Sequence, residues 1–389
     1  MWYFVAPEVV FGPDALSHLA ELRARTAVVV TDKNIVDLGL VERVKEQLTL
    51  AGIATAAVFD GVEPDPSVQT VRNGVSLIND HRPDLIVAVG GGSVMDAAKA
   101  MRVQYERPDI LIEEINPFIT DFGLGTKCRL VCVSTTSGTG SEATFAVVLT
   151  DTADRRKLSL INRQIVPDIA IVDPQMARAM PPQLTADTGM DALTHAIEGY
   201  SCTWNNDFSD GLCIRAMQLV FEYLVRAVND VDDMEAREKL HNAACIAGIG
   251  FINSLSAMAH AAGHSLGAVF HVPHGRAVGL LLPYTIEFVG EAANDRWAEI
   301  LYAIKRTDPQ RETPATALAN AIRELARELN QPLSIKETGV ASDTFDEAME
   351  KLIDNLMADG SLIVSARIPD AAESERFFRY AYDGRTVDF

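Results

Sequence analysis

The sequence predicts two folded halves: an α/β layered domain over residues 1–181 and an all-α domain over 182–389. Three observations carry this. Short β-branched runs alternate with amphipathic segments through the first 180 residues. The pair Pro181-Pro182 interrupts that rhythm, both breaking the preceding segment and allowing a helix to start just after it. Beyond the prolines, apolar residues recur at helical spacing with few β-branched runs. At 389 residues and 48 % apolar composition, the chain has ample material for two cores.

Residues 1–8 lack the basic and apolar regions of a secretory signal. Strands are expected over 27–31, 53–59, 84–89, 129–134 and 169–172, with helices over 41–47, 68–81 and 94–102 between the earlier ones. Such alternation implies parallel pairing through right-handed crossovers. Past the prolines, helices are expected over 212–227, 235–252, 314–329 and 344–357. The stretch 245–272 is nearly uncharged and long enough to span a bilayer, yet it holds His260, His264 and His271. Ionisable groups are costly in lipid, so a buried helix pair around a polar site explains it better. Five cysteines are scattered, and Cys128-x3-Cys132 has no second pair to complete a metal site. They read as core thiols in a reducing cytoplasm.

Charge narrows the function. With 34 Lys+Arg against 54 Asp+Glu, the net charge is −20 at pH 7. An acidic surface opposes phosphate backbones and anionic bilayers, which excludes a nucleic-acid binder and disfavours a membrane surface. A small molecule or another protein is the expected partner.

Two loops carry phosphate chemistry. The strand 84–89 runs into Gly90-Gly91-Gly92-Ser93 and then a helix, so that backbone N–H groups at a helix N-terminus are available to an anion. The spacing is neither G-x-G-x-x-G nor a P-loop. A second loop, Ser134-Thr135-Thr136-Ser137-Gly138-Thr139-Gly140-Ser141-Glu142, follows the next strand and is made almost wholly of hydroxyl residues and glycine. Loops at the carboxyl ends of parallel strands converge where open α/β sheets bind nucleotides. Asp32 follows the strand 27–31; there it either accepts from ribose hydroxyls, favouring NAD over NADP, or merely opens a turn.

The helical half carries metal chemistry. Only eight histidines occur, and four of them fall at 260, 264, 271 and 274. Asp191 and His195 stand at i,i+4 spacing, as do His260 and His264, and His274 sits in a Pro-His-Gly turn. One carboxylate with several imidazoles and no thiolate suits Fe(II) or Zn(II). Asp187 reads as a first-turn carboxylate near the positive end of a helix dipole. A metal beside a nucleotide site points to hydride transfer between a substrate carbon and a nicotinamide.

These blocks resemble the iron-containing (group III) alcohol dehydrogenases. The residues that carry the resemblance are Gly90-Gly-Gly-Ser-Val-Met-Asp96, the loop 134–142, Thr188-Gly-Met-Asp-Ala-Leu-Thr-His-Ala-Ile-Glu-Gly-Tyr200, Met258-Ala-His-Ala-Ala-Gly-His-Ser-Leu-Gly-Ala268, Pro273-His-Gly275 and Leu281-Leu-Pro283. The resemblance implies an α/β N-terminal Rossmann-like nucleotide-binding domain plus an all-α C-terminal metal-binding domain. It implies reversible oxidation of alcohols to aldehydes or ketones. It assigns the metal to Asp191, His195, His260 and His274, and puts His264 near the nicotinamide and reacting atoms as an aid to proton relay. It gives the cofactor Asp32, Gly91, Gly92, Ser93, Asp96, Thr135, Thr136, Thr144 and Lys157, and it places Asp65 less firmly near it. NAD is expected rather than NADP, and Fe2+ with Zn2+ as the alternative ion. A homodimer or larger homo-oligomer is also implied.

The chain departs from the family near its end, where 361–367 replace an Asn-Pro-Arg sequence. Phe145 and Phe251 are expected as cleft walls. No Arg and Lys cluster surrounds the histidines, which favours a neutral short-chain alcohol or diol. It also counts against the competing reading, a dehydroquinate-synthase-like lyase that uses NAD and a metal on a phosphorylated substrate.

Overall fold

The computed structural model describes residues 3–115, 123–152, 156–306 and 313–389. Met1 and Trp2 of the N-terminal segment, and Arg155 beside Lys157, lie outside the described residues. The chain divides into two compact units, 1–180 and 181–389.

The first unit holds strands β1 (Glu8–Phe11), β2 (Thr26–Val30), β3 (Ala54–Phe59), β4 (Leu85–Gly90), β5 (Arg129–Ser134), β6 (Ala146–Asp151), β7 (Arg156–Ile161) and β8 (Ile169–Val172). Six of them form one sheet in the order β1-β8-β5-β4-β2-β3, every pairing parallel. All six residues of β4 are buried, as befits a strand covered on both faces. The helices are α1 (Lys33–Asp37), α2 (Leu40–Leu50), α3 (Val68–His81) and α4 (Gly92–Glu106). Strand order reverses at β2 and β4, because β3 lies outside β2 on one side while β4 takes the other. That reversal is where open sheets leave a crevice at the strands' carboxyl ends. The Thr31 hydroxyl donates to the Val89 carbonyl at 2.8 Å and ties these two ends together.

Three features depart from expectation. β1 adds a sixth strand at the sheet edge. β6 and β7 form a separate antiparallel hairpin where no strand was expected. Helix α4 starts two residues earlier and ends four later than 94–102, because its charged end is neutralised internally. Arg102 donates to Glu106 at 3.3 Å, and the buried Glu106 carboxylate also accepts from the N–H groups of Gly125, Thr126 and Lys127 at 2.8–3.0 Å.

The second unit is helical throughout its described residues: α5 (Pro182–Ser201), α6 (Asp207–Asn229), α7 (Met234–Ile252), α8 (Met258–Phe270), α9 (His274–Val289), α10 (Asn294–Ala303), α11 (Pro314–Glu328), α12 (Ser342–Glu347), α13 (Met349–Ala358) and α14 (Ala371–Asp383). Helix α6 begins at Asp207 rather than 212, since Asn206 and Ser209 form a reciprocal capping box. The helix expected over 344–357 is two helices meeting at Ala348. The uncharged stretch 245–272 is likewise two elements, the end of α7 and all of α8. Among the described residues no helix is long and apolar enough to cross a membrane. Helix α5 packs against α6, α7 and α9 in one apolar core. None of the five cysteines is in a disulfide, and all are buried. Burial pushes the Cys132 thiol up to about 12, which suits a core side chain and not a metal thiolate.

Candidate metal centre and nucleotide loops

In the first unit the glycine loop and the hydroxyl loop touch. A Cβ at Gly91 would stand 3.1 Å from Thr136, and one at Gly92 would stand 2.9 Å from Thr139. A side chain at either position would push the neighbouring threonine aside, whatever else binds. Gly91 precedes α4 without a side-chain cap, and the Val94 N–H turns back to the Gly91 carbonyl, so the N–H groups of Gly92 and Ser93 are the ones left for a ligand. The Ser93 hydroxyl accepts from the Asp65 N–H at 3.3 Å. Thr135 keeps a buried hydroxyl with no partner, the kind of orphan that a polar ligand satisfies.

Two expected cofactor contacts are instead used inside the fold. The Asp96 carboxylate accepts from the Ser141 hydroxyl at 2.7 Å and the Val148 N–H at 2.9 Å, so one oxygen holds the second loop and the other holds β6. The Thr144 hydroxyl accepts from Lys99 at 3.1 Å. Lys99 itself was not singled out in the sequence. Its side chain is fully buried, and its ammonium donates to Ser141, Thr144 and the Ala146 carbonyl at 2.8, 3.1 and 3.0 Å, with Asp96 at 3.7 Å. Burial lowers the Lys99 pKa and raises that of Asp96, while each charge opposes the other's shift. Lys157 pairs with Asp65 at 2.7 Å. Asp32 follows β2 and caps α1 by accepting from the Ile35 N–H at 3.1 Å. The turn-opening role is therefore real; it occupies one carboxylate oxygen.

In the second unit one helix face builds most of the centre. Helix α5 presents Asp191, His195 and Glu198 at spacings of four and three, which superimpose on one side. Asp191 Oδ1 lies 3.7 Å from His195 Nδ1, 3.8 Å from His260 Nε2 and 3.3 Å from His274 Nε2. Asp191, His195 and His260 are buried, and one donor atom from each falls within 4.8 Å of the others. Asp191 Oδ1, His195 Nδ1 and His260 Nε2 have no hydrogen-bond partner. Three buried donors left open toward one point fit a cation: hydrogen bonding alone would not leave them so.

Protonation agrees with this fit. Burial would raise the Asp191 carboxyl, but His195, His274 and His260 hold it well below the ordinary range. Burial also pushes His195 down to about 3 against the pull of Asp191. An ionised carboxylate beside a neutral imidazole is the state that metal ligation demands.

The surroundings fix the ligands. Glu198 accepts from His260 Nδ1 at 2.6 Å and from the N–H groups of Ala257 and His260 at 2.9 and 3.3 Å, and also from that of Ala259. It thereby sets the His260 tautomer, leaving Nε2 for the centre. Phe251, expected as a cleft wall, is buried and stacks on His195, ring centroids 4.0 Å apart. Phe145 packs against the apolar core of the first unit. Asp187 falls beyond the first turn of α5, so the dipole account gives way to an ion pair: Arg276 on α9 donates to both its oxygens at 3.1 and 3.0 Å. His264 is partly exposed, its ring 5.9 Å from that of His260 and 5.3 Å from that of His274. Its Nδ1 lies 2.8 Å from Asp359. Burial opposes that carboxyl's charge, yet His264 and Ser361 bring its pKa down to about 2, so the ionised Asp359 makes Nδ1 the protonated nitrogen.

Glu198, Asp359 and Arg276 were not assigned roles from the sequence. Glu198 alone had a signal, its place on the face already holding Asp191 and His195. Asp359 and Arg276 act through partners far away in sequence.

Comparison with known proteins follows this geometry. Residues 6–174 match the family described as iron-containing alcohol dehydrogenase, and 185–366 match its C-terminal family. The chain is 37 % identical over 391 residues to an NADPH-dependent butanol dehydrogenase of Clostridium saccharobutylicum, covering 100 % of both chains. A 1,3-propanediol oxidoreductase structure superposes with TM-score 0.91 at 31 % identity, over 98 % of this chain and 100 % of that one. A sulfoacetaldehyde reductase from Bifidobacterium kashiwanohense, solved with NAD+, superposes with TM-score 0.86 at 27 % identity over 98 % of each chain.

Proposed function

The chain belongs to the iron-containing alcohol dehydrogenase family, and we propose that it oxidises a neutral short-chain alcohol or diol, and reduces the matching carbonyl, with NAD as the preferred coenzyme. The observation that carries the reading is the trio of partnerless buried donors on Asp191, His195 and His260. Asp191, His195, His260 and His274 would hold Fe2+ or Zn2+. A divalent ion so held supplies Lewis-acid polarisation of an alcohol or carbonyl oxygen. The nicotinamide supplies the hydride acceptor, alcohol and NAD+ giving carbonyl, NADH and a proton.

The chain's own residues do the rest. His264 takes or returns the hydroxyl proton at Nε2, since Asp359 occupies Nδ1. The Gly91–Ser93 backbone and the Thr135 and Thr136 loop bind the pyrophosphate, with Lys157 near it. Asp96, Lys99 and Thr144 hold the two loops in register from below. Asp32, with one oxygen still open, selects against a 2′-phosphate.

We read the protein as cytoplasmic, on its five buried thiols outside any disulfide, and as a homo-oligomer, on the outer edge of β1 with Phe11 exposed upon it. The test of function is absorbance at 340 nm with NAD and a panel of primary alcohols and 1,2-diols. NADH formation that disappears on chelation and returns with Fe2+ or Zn2+ is expected. Turnover indifferent to chelation would overturn the metal reading, and turnover confined to phosphorylated substrates would favour the lyase-like alternative.

A further inference from the structure

The four donors around Asp191 are not held alike. Asp191, His195 and His260 have side chains no more than 6 % exposed, whereas that of His274 is 41 % exposed. His274 is also the first residue of α9, which starts after Pro273 with no side-chain cap. An uncapped first turn is the part of a helix that frays. Something must press it against α5 if His274 is to stay 3.3 Å from Asp191.

Two features do so. Gly275 lies flat on α5: a Cβ there would collide with the Asp187 carbonyl and stand 3.2 Å from the Asp191 Cβ. One residue further, the Arg276 guanidinium grips Asp187 through two parallel bonds of 3.1 and 3.0 Å. Gln183 donates to the same carboxylate at 3.0 Å and steadies it. Asp187 stands one helical turn before Asp191, so the grip fastens the start of α9 to the stretch of α5 that carries the buried ligands.

We propose that Arg276 is a positioning residue for the metal: its fork on Asp187 decides whether the ion is held by four side chains or by the buried three. The inference rests on the metal reading above. Electrostatics alone predicts the opposite sign. Loss of Arg276 would unmask the Asp187 negative charge one turn from Asp191, and that charge would draw a cation more tightly. The direction of change therefore decides between clamp and field.

The experiment uses the full-length protein stripped of metal and titrated with cobalt(II), its affinity read by competition with a chelator and its ligand number by the visible absorption bands. Arg276→Gln is expected to weaken binding about 10- to 100-fold, the range for residues that orient a ligand, and to change the bands. Arg276→Lys keeps the charge but not the planar fork, so it is expected to recover little of the loss. Arg276 is partly exposed, so folding is expected to survive, with circular dichroism as the check. Unchanged or tighter cobalt binding by Arg276→Gln would overturn the clamp. A parent protein that takes up no stoichiometric cobalt would overturn the metal reading itself, and the clamp with it.

Discussion

Consider replacing Glu198 with glutamine. The carboxylate now accepts four bonds: Oε2 takes those from the N–H groups of Ala257 and His260 and from His260 Nδ1, and Oε1 takes that from Ala259. A glutamine amide retains one accepting oxygen. With that oxygen at the Oε2 position, three bonds persist without their charge, each weaker by about 0.5–1 kcal/mol, since charge-assisted bonds are roughly twice as strong. The amide nitrogen then faces the Ala259 N–H, donor against donor, and a buried group left unpaired costs about 1–3 kcal/mol. The expected loss of stability is thus about 2.5–6 kcal/mol, a large share of a typical domain's ~5–15 kcal/mol. Metal affinity should fall as well, about 10- to 100-fold, because His260 loses the partner that fixes its tautomer. Urea unfolding of metal-free protein reads the first effect, and chelator competition the second. A stability loss under about 1 kcal/mol together with unaltered affinity would refute the bracing role.

Other substitutions probe the first unit. Asp32→Gly is expected to raise NADP use relative to NAD at a cost of only a few tenths of a kcal/mol, because glycine is a tolerable cap; an unmoved ratio of kcat/KM values would leave Asp32 as a cap alone. Lys99→Met removes the donor to Ser141 and Thr144 and the positive charge beside Asp96, and breaking such a buried pair costs about 3–5 kcal/mol. The expected signature is a lower thermal midpoint and a higher KM for NAD than the change in kcat would explain. Glu106 gives a pH signature. Burial alone would raise its carboxyl, but the N–H groups of Lys127, Gly125 and Thr126 and the charge of Arg102 outweigh it, so the folded pKa lies below the ordinary value of 4.5. Its contribution is fully present above 4.5 and is lost as pH falls through the folded value. The deficit of Glu106→Gln in urea unfolding should accordingly be constant near neutrality and shrink below pH 4.5.

Elements set by local pattern keep the limits that pattern implies. Helix 68–81 and the strands at 129–134 and 169–172 have the limits their periodicity and β-branched runs suggest. The start of α5 at Pro182 follows from proline's suitability for a first turn. Pairings were another matter. β1 is four residues long and becomes a strand only by lying beside β8, about 160 positions away. The helix pattern over 344–357 runs unbroken through Ala348, where one helix ends and the next begins. At the centre, the aspartate and histidines were visible because their spacing repeats a helical turn. Asp359 and Arg276 gain their meaning from partners 95 and 89 residues distant, and no local pattern announces such a pairing.

Helix α5 bears two of the supposed ligands together with the brace of a third. Since each residue of an α-helix advances the azimuth by about 100°, inserting or deleting one position between Asp191 and Glu198 would swing part of that row away from the remainder. Point substitutions elsewhere can trim affinity by degrees, but a change of length in this single segment would dismantle coordination and its scaffolding at one stroke. The chain can lengthen or shorten at its surface turns; across these eight residues its count is fixed by rotation.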